Sequence, residues 1–304
     1  MIQGKTKTLE PFEDGLRVTT KNSLTANDAA KRADANVAVY KTSQTCSVFE
    51  FLNNHNIPTH FIKRLDDTSF LVKECDMIPL ECVARSRAYG SFLKRHPESK
   101  PGQNLYWTNL EFFHKLAYIK ESNELIPEDE AREKYMRQYD PADGEWITEV
   151  ITDPFILFNW GEWREQKRES TDKKGFRMQF YNPKAPLIPN EYLIIKESDI
   201  SPKIYDVIAE QMSNIFNLLT RAWMSYDVEL IDIKLEFGYL KQSREVVLAD
   251  VVDNDSWRIW PSGDPTKQLD KQSFRDNEPL SDVEEKYRIV ADYTDKFPQL
   301  GLEL

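Results

Sequence analysis

Within residues 230–238, Leu-Ile-Asp-Ile-Lys-Leu-Glu-Phe-Gly, positions 231–237 alternate between apolar and charged side chains with no break. Side chains in a strand repeat every two residues, so Ile231, Ile233, Leu235 and Phe237 share one face and Asp232, Lys234 and Glu236 the other. A second apolar run, residues 246–249, follows the polar stretch 241–244 and ends at Asp250. The two runs predict an antiparallel hairpin with a connection of a few residues. A register that placed Glu236 and Asp250 on one face would let the two carboxylates share a divalent cation, but periodicity alone does not set that register. The same alternation also describes a sheet with one wet face and no chemistry on it.

At 304 residues the chain is long enough for one large domain or two smaller ones, and two lobes are expected. Apolar residues make up 40% and charged residues 30%, as in a globular protein rather than a disordered one. A net charge of −11 argues against a general nucleic-acid or anionic-membrane binder, which needs a dominant positive field. Apolar runs such as 155–158 are too short to span a bilayer, and the first residues have no signal-peptide core, so a cytoplasmic protein is expected. The three cysteines, Cys46, Cys75 and Cys82, form no Cys-x-x-Cys pair and are read as small buried side chains. The four histidines show no paired metal-ligand spacing.

Residues 4–10 and 16–20 flank a turn at Glu13-Asp14-Gly15 and predict a hairpin. Lys5 and Lys7, two apart, would share a face suited to phosphate oxygens. Gly-Lys-Thr at residues 4–6 lacks the earlier glycine of a P-loop, and no Gly-x-Gly-x-x-Gly occurs, so neither the P-loop nor a dinucleotide-binding turn is supported. A Gly-x-Ser-x-Gly elbow is also absent, which leaves a serine hydrolase without support. A helix over 43–54 with Ser43 as N-cap, strands at 59–63 and 69–73, and an extended segment at 80–85 are predicted. A polar surface helix is expected over 128–139. Ser201-Pro202 opens the clearest helix, its apolar stripe running from Ile204 to Ala222. Ser281 with Glu284 has the capping-box spacing for a last helix to about residue 297.

Residues 71–95, including Lys-Glu-Cys-Asp-Met-Ile-Pro-Leu-Glu-Cys-Val-Ala-Arg-Ser-Arg-Ala-Tyr-Gly-Ser, resemble the signature of the phosphoribosylaminoimidazole-succinocarboxamide synthase family, also called SAICAR synthetases. The Gly-Lys-Thr-Lys start at 4–7, the segment 232–238 followed by Asp250, Arg258-Ile-Trp260, and Leu-Asp-Lys-Gln-Ser-Phe-Arg at 269–275 resemble further family motifs in the same order. The resemblance implies an α+β fold of two lobes, an N-terminal antiparallel sheet lobe over 1–78 and a larger mixed lobe over 79–304, with ATP in the cleft between. Residues 161–190 resemble an insertion and are expected to be a surface excursion or subunit contact.

The implied activity is an ATP- and Mg2+-dependent ligase of purine biosynthesis. It would join L-aspartate to the carboxylate of carboxyaminoimidazole ribonucleotide (CAIR). By resemblance, Lys5 and Lys7 would hold ATP phosphates, Lys73 to Met77 would face the adenine, and Lys115 would lie near the phosphates. Glu236 and Asp250 would hold nucleotide-bound magnesium, and Glu81 would face a metal on the substrate carboxylate. Arg85, Ser91 and Arg258 would bind the ribonucleotide 5'-phosphate, because guanidinium forks match phosphate oxygens. Asp232 and Lys234 would sit near the sugar and reacting carboxylate, Asp153 near the amino acid, and Lys271 at the substrate.

Two positions depart from the family pattern. Thr152 stands where a histidine is usual before Asp-Pro, and the loop 24–30 keeps Asp28 but lacks the flanking glycines. The alternatives are a related ligase using another amine and a non-catalytic ATP-binding module. The expected partners are small molecules, with no nucleic acid and no membrane, and self-association is left open.

Overall fold

The structure is a computed structural model that describes residues 2–4, 6–26, 31–137, 144–158, 176–188 and 191–302. The chain divides into two compact units, residues 1–78 with 213–304, and residues 79–212. This is a different partition from contiguous lobes at 1–78 and 79–304, because the central hairpin and the C-terminal helices cluster with the N-terminal residues. Both units mix helices with antiparallel sheet, so the chain is α+β.

In the first unit a five-stranded antiparallel sheet runs in the order Ile2–Gln3, Lys7–Phe12, Gly15–Thr20, Ser69–Val72, Phe61–Arg64. The predicted first hairpin forms with Leu9 opposite Val18 and Phe12 opposite Gly15. A side chain at residue 15 would bring its Cβ within 2.3 Å of the Val72 carbonyl oxygen, so this close approach of two strands requires glycine. Val18, Cys46, Phe70 and Val72 form the buried cluster beneath the sheet.

The helix Ala38–Asn54 is longer than its apolar stripe predicts. Ser43 lies inside it and Val37 is the N-cap, so Ser43 is not a cap. The reason is that its first turns bury polar side chains which are all satisfied by distant partners. Lys41 pairs with Asp255 at 2.6 Å, the Thr42 hydroxyl donates to Thr20 at 2.8 Å, and Ser43 donates to Asp295 at 2.7 Å. Gln44 donates to the Tyr287 carbonyl at 2.8 Å and accepts from the Asn254 amide at 2.9 Å. Periodicity cannot show such a face, since it is polar in composition yet core in position. The helix Leu280–Thr294 also starts without the expected box: Pro279 is its N-cap and Ser281 donates to Asp282 within the first turn.

The long strand Val228–Leu240 pairs antiparallel with Trp257–Pro261, with Val246–Ala249 and with the short strand Cys75–Met77. Ile231, Ile233, Leu235 and Phe237 are all buried, as the alternation predicts. Helix Pro202–Met224 begins at the expected proline, and Ile208, Met212, Ile215, Leu218, Leu219 and Ala222 are buried.

In the second unit Leu80–Arg87 pairs with Asn104–His114, which pairs with Phe155–Leu157. Leu116–Ile119 lies between Glu124–Pro127 and Val150–Thr152. The polar helix is Glu128–Tyr135, with only Ala131 buried. Within the expected insertion, Phe176–Phe180 is a strand paired with Ile194–Ser198, and Met178, Phe180 and Tyr181 are buried. That part is therefore core rather than surface excursion; residues 161–175 and 189–190 lie outside the described residues.

His114 is buried against Phe180, with Nε2 3.2 Å from the Tyr205 hydroxyl, and burial pushes its pKa down to about 3. The neutral ring is therefore the native form, while the unfolded chain protonates near 6.5. Stability from this site is full above pH 6.5 and is lost as pH falls from there toward about 3. Urea unfolding at pH 5 should show a loss on the order of 2 kcal/mol relative to pH 7 from His114. The difference should shrink in His114→Gln, and an unchanged difference would remove His114 as its source.

Candidate active site

In the first unit the polar face of Val228–Leu240 carries Asp232, Lys234 and Glu236. Asp232 lies opposite Arg258 in the register with Trp257–Pro261, and the two side chains form an ion pair with little exposure. Lys234 Nζ stands 3.3 Å from Glu236. Glu236 lies opposite Ala249, so a continued strand would turn Asp250 to the opposite face, with the core. Asp250 instead takes a left-handed backbone, φ 59°, a conformation that aspartate tolerates better than most residues. His60 Nε2 lies 3.0 Å from the Asp250 carbonyl and holds that turn.

The Asp250 carboxyl is consequently beside Glu236. Desolvation first, then repulsion by Glu236, push its pKa up to about 6, against the attraction of Lys234 and Lys7. The residue keeps exposed surface, so solvent offsets part of the desolvation and the repulsion is the firmer cause. Two hard oxygen donors that repel each other suit a divalent cation, while the neighbouring ammonium groups suit anionic oxygens. Among the described residues no group of three or more His, Cys, Asp and Glu side chains is arranged to hold a metal alone. Magnesium accepts such a site, since one or two carboxylates are commonly completed by phosphate oxygens and water.

Adjoining Asp250 is a buried charge network that sequence reasoning did not identify. Lys7 is buried with its ammonium 3.3 Å from Asp253, and burial lowers its pKa while Asp253 opposes the shift. Asp255 receives Lys41 at 2.6 Å, Lys271 at 3.4 Å and the Tyr287 hydroxyl at 2.8 Å. Burial would raise its carboxyl, but Lys41 and Lys271 hold it well below the carboxylate range. Lys271 is thus engaged by an internal carboxylate. Its neighbour Asp270 is buried and accepts the Ile259 and Gln272 amides. The spacing Asp250-x-x-Asp253-x-Asp255 was the visible signal for this network. Lys41, on a helix distant in sequence, carried none.

Lys73 is exposed and lines a cleft of about 560 Å³ with Asp14, Ile62, Leu240, Lys241 and Ser243. Met77 is exposed at the end of Cys75–Met77, opposite Gly238. Lys5 and Asp28 lie outside the described residues.

In the second unit Arg85 is buried on Leu80–Arg87, its Nε and Nη2 donating to Glu111 at 3.0 and 2.8 Å. Glu81 is half-buried on the same strand, opposite Phe113. Ser91 is exposed at the start of the one-turn helix Phe92–Arg95, after Gly90 in a left-handed conformation, φ 59°. Its side chain makes no cap bond, while its carbonyl accepts from Arg95. Lys115 is half-buried, and its amide donates to the Pro79 carbonyl. Asp153 takes a left-handed backbone, φ 55°, its amide donating to Leu116, directly after the buried Thr152.

Paired carboxylates beside lysines in one unit, and the buried strand arginine Arg85 in the other, define an α+β protein with the residue types that handle highly charged, oxygen-rich ligands. The chain matches the SAICAR synthetase family over residues 1–149 and 186–293, and it belongs to that family. The unmatched stretch 150–185 contains Asp153 and most of the expected insertion.

The chain is 31% identical over 306 residues to the phosphoribosylaminoimidazole-succinocarboxamide synthase of Chloroflexus aurantiacus, covering 98% of this chain and 96% of that one. It is 31% identical over 300 residues to the multifunctional protein ADE2 of Gallus gallus, covering 95% of this chain and 56% of that protein. It therefore spans little more than half the length of such relatives. A solved SAICAR synthetase in complex with ADP has the same fold, with a TM-score of 0.65, 24% identity and 96% of each chain covered.

Proposed function

We propose that this chain uses ATP to join L-aspartate to the carboxylate of CAIR, giving SAICAR, ADP and phosphate in purine biosynthesis. The observation that carries the reading is the convergence of Asp232–Arg258 and Lys234–Glu236–Asp250 around the polar face of Val228–Leu240 on a SAICAR-synthetase scaffold. The ADP in a solved relative's complex agrees with a nucleotide substrate.

The chemistry explains the residue types. A carboxylate is a poor acyl donor at neutral pH, so an oxygen of the CAIR carboxylate first attacks the γ-phosphorus of ATP as its bond to ADP breaks. The aspartate amine then attacks the acyl carbon. A C–N bond forms, phosphate leaves with the C–O electron pair, and the amine proton is released. Every partner is an anion, so the barrier is largely one of charge.

Glu236 and Asp250 would hold magnesium, which when bound neutralises phosphate oxygens and orients the γ-phosphate. Lys5 and Lys115 would meet the same phosphates, Lys7 would add its charge there from its buried pairing with Asp253, and Lys73 to Met77 would contact the adenine. Glu81 would face a metal at the CAIR carboxylate. Lys234 supplies a cation at the reacting carboxylate, and Asp232 aligns Arg258 through their ion pair. Arg258, Arg85 and Ser91 would bind the 5'-phosphate, with Asp153 and Asp28 at the remaining substrate groups. Lys271 would act through Asp255 rather than by direct contact.

No helix among the described residues is long and apolar enough to cross a membrane, and we assign the reaction to the cytoplasm. The test is ADP release from Mg-ATP with CAIR and a panel of amines, omitting each component in turn. Release should require both CAIR and L-aspartate, with product of the expected mass. Turnover with a different amine would assign the related ligase, and ATP binding without release would reject catalysis.

A further inference from the structure

His60 has no part in the proposed reaction, yet its hydrogen bonds join the two ends of the proposed nucleotide site. It is 6% exposed, and its ring lies at 83° to that of Phe49 with the centres 5.3 Å apart. Its amide donates to the Leu248 carbonyl at 2.9 Å, and its carbonyl accepts from the Lys73 amide at 2.7 Å. The ring Nε2 stands 3.0 Å from the Asp250 carbonyl. A carbonyl oxygen only accepts, so Nε2 carries the proton and donates.

Lys73 opens the segment set against the adenine, and Asp250 is one of the two carboxylates set at magnesium. One buried residue therefore touches both, inside a single compact unit. The ring bond bears directly on where Asp250 points. The carbonyl of residue 250 lies in the peptide plane that follows Asp250, so a bond to it holds ψ of that residue. The left-handed φ of 59° is sparsely populated for any side chain but glycine, and such a backbone persists only where its surroundings over-determine it. Released from it, Asp250 would continue the alternation past Ala249 and turn away from Glu236.

We propose that His60 is a positioning residue that aims the Asp250 carboxyl at magnesium and, through its main-chain bond to Lys73, makes metal binding and adenine binding reinforce each other. A base seated against residues 73–77 restrains Lys73, and the bonds at His60 pass that restraint to Leu248 and Asp250. By linkage, magnesium then improves binding of the base by the same factor that the base improves binding of magnesium. The proposal rests on the ligase reading for the place of the nucleotide and adds a cooperativity which that reading does not contain.

The test measures binding, which needs no turnover. Calorimetry would give the affinities of a non-hydrolysable ATP analogue and of tripolyphosphate, each with Mg2+ and with EDTA, alongside the ligase assay. In the wild type Mg2+ should strengthen binding of the analogue at least about fivefold more than binding of tripolyphosphate, the lower end of typical couplings between sites. His60→Leu keeps bulk and removes the donor. It should cut the Mg2+ enhancement of the analogue ~10- to 100-fold, the range for losing a group that orients a metal ligand. The analogue and tripolyphosphate should then respond to Mg2+ alike, with metal-free affinity for the analogue within about twofold of wild type. His60→Gln, which restores an N–H donor, should recover part of the enhancement. Added to Asp250→Asn, His60→Leu should cost little more, because the two act through one carboxylate.

A folded His60→Leu variant that keeps the wild-type Mg2+ enhancement, or that binds equally weakly with and without Mg2+ removed, would overturn the positioning role. Equal enhancement of the two probes in the wild type would overturn the coupling, and that comparison stands even if His60→Leu fails to fold. Coupling that is present in the wild type and lost in His60→Leu, in a protein that does not ligate CAIR, would overturn the ligase reading alone.

Discussion

Asp250→Asn should lower kcat by about 10³-fold, near 4 kcal/mol of transition-state stabilisation, while the protein stays folded. Asparagine accepts the left-handed backbone at φ 59°, so the His60 contact to the carbonyl and the turn after Val246–Ala249 should survive. The substitution removes only the charge.

The carboxyl's raised pKa gives the accompanying sign. The native state holds this proton more tightly than the unfolded chain, so ionising Asp250 costs stability as pH rises from about 4 through about 6. At pH 7 the asparagine variant should be as stable as wild type or gain up to about 1 kcal/mol, a figure reduced for solvent screening at this exposed residue. Loss of activity with an unchanged or higher melting temperature would mark a residue retained for chemistry. Near-normal turnover with magnesium would remove Asp250 from the reaction.

Arg85→Ala should have two separable effects. From sequence the expected consequence is mainly weaker binding of the phosphorylated substrate, because the family resemblance makes Arg85 a phosphate ligand. The structure adds a second, since Arg85 is buried and makes the two-point contact to Glu111. Its removal should destabilise the fold by about 3 kcal/mol, measured by urea unfolding, because Glu111 loses one of two buried partners. In the folded fraction KM for CAIR should rise about 100-fold while KM for ATP stays near wild type. Arg85→Lys should fall between, keeping the charge and losing the fork. A stable variant with unchanged KM for CAIR would eliminate both roles.

These two residues differ in how much of them could be read beforehand. The chemistry of Asp250 was visible as a carboxylate closing an apolar run next to an Asp-Lys-Glu face, and the segment 232–238 marked where to look. Its aim was not visible. Strand alternation extended by one residue sends Asp250 to the core side, and only the positive φ brings it back to Glu236. Arg85 was visible as a residue type in a motif, but Glu111 was not connected to it. The two lie on neighbouring strands, and their contact depends on the register that sets Arg85 opposite Asn109 and Val83 opposite Glu111.

The helices show the same boundary. Pro202–Met224 was legible because its apolar stripe and its opening Ser-Pro are local features. The first turn of Ala38–Asn54 was not, since Lys41, Thr42, Ser43 and Gln44 become core only by meeting Asp255, Thr20, Asp295 and Tyr287. Cost-neutral burial of a polar side chain is a property of its partner as much as of the residue itself.

The amino-acid sequence by itself therefore determined the strand alternation, the main helix, and the set of carboxylates and cations on which family membership and the proposed chemistry rest. These follow from short-range periodicity and residue type. Tertiary structure alone decided that Lys7 and Lys271 answer to Asp253 and Asp255, that Glu111 stands between two arginines, and that Asp250 turns toward Glu236. Each of those outcomes depends on strand register, on one backbone dihedral, or on a charge balance between residues far apart in the chain, none of which a local pattern encodes.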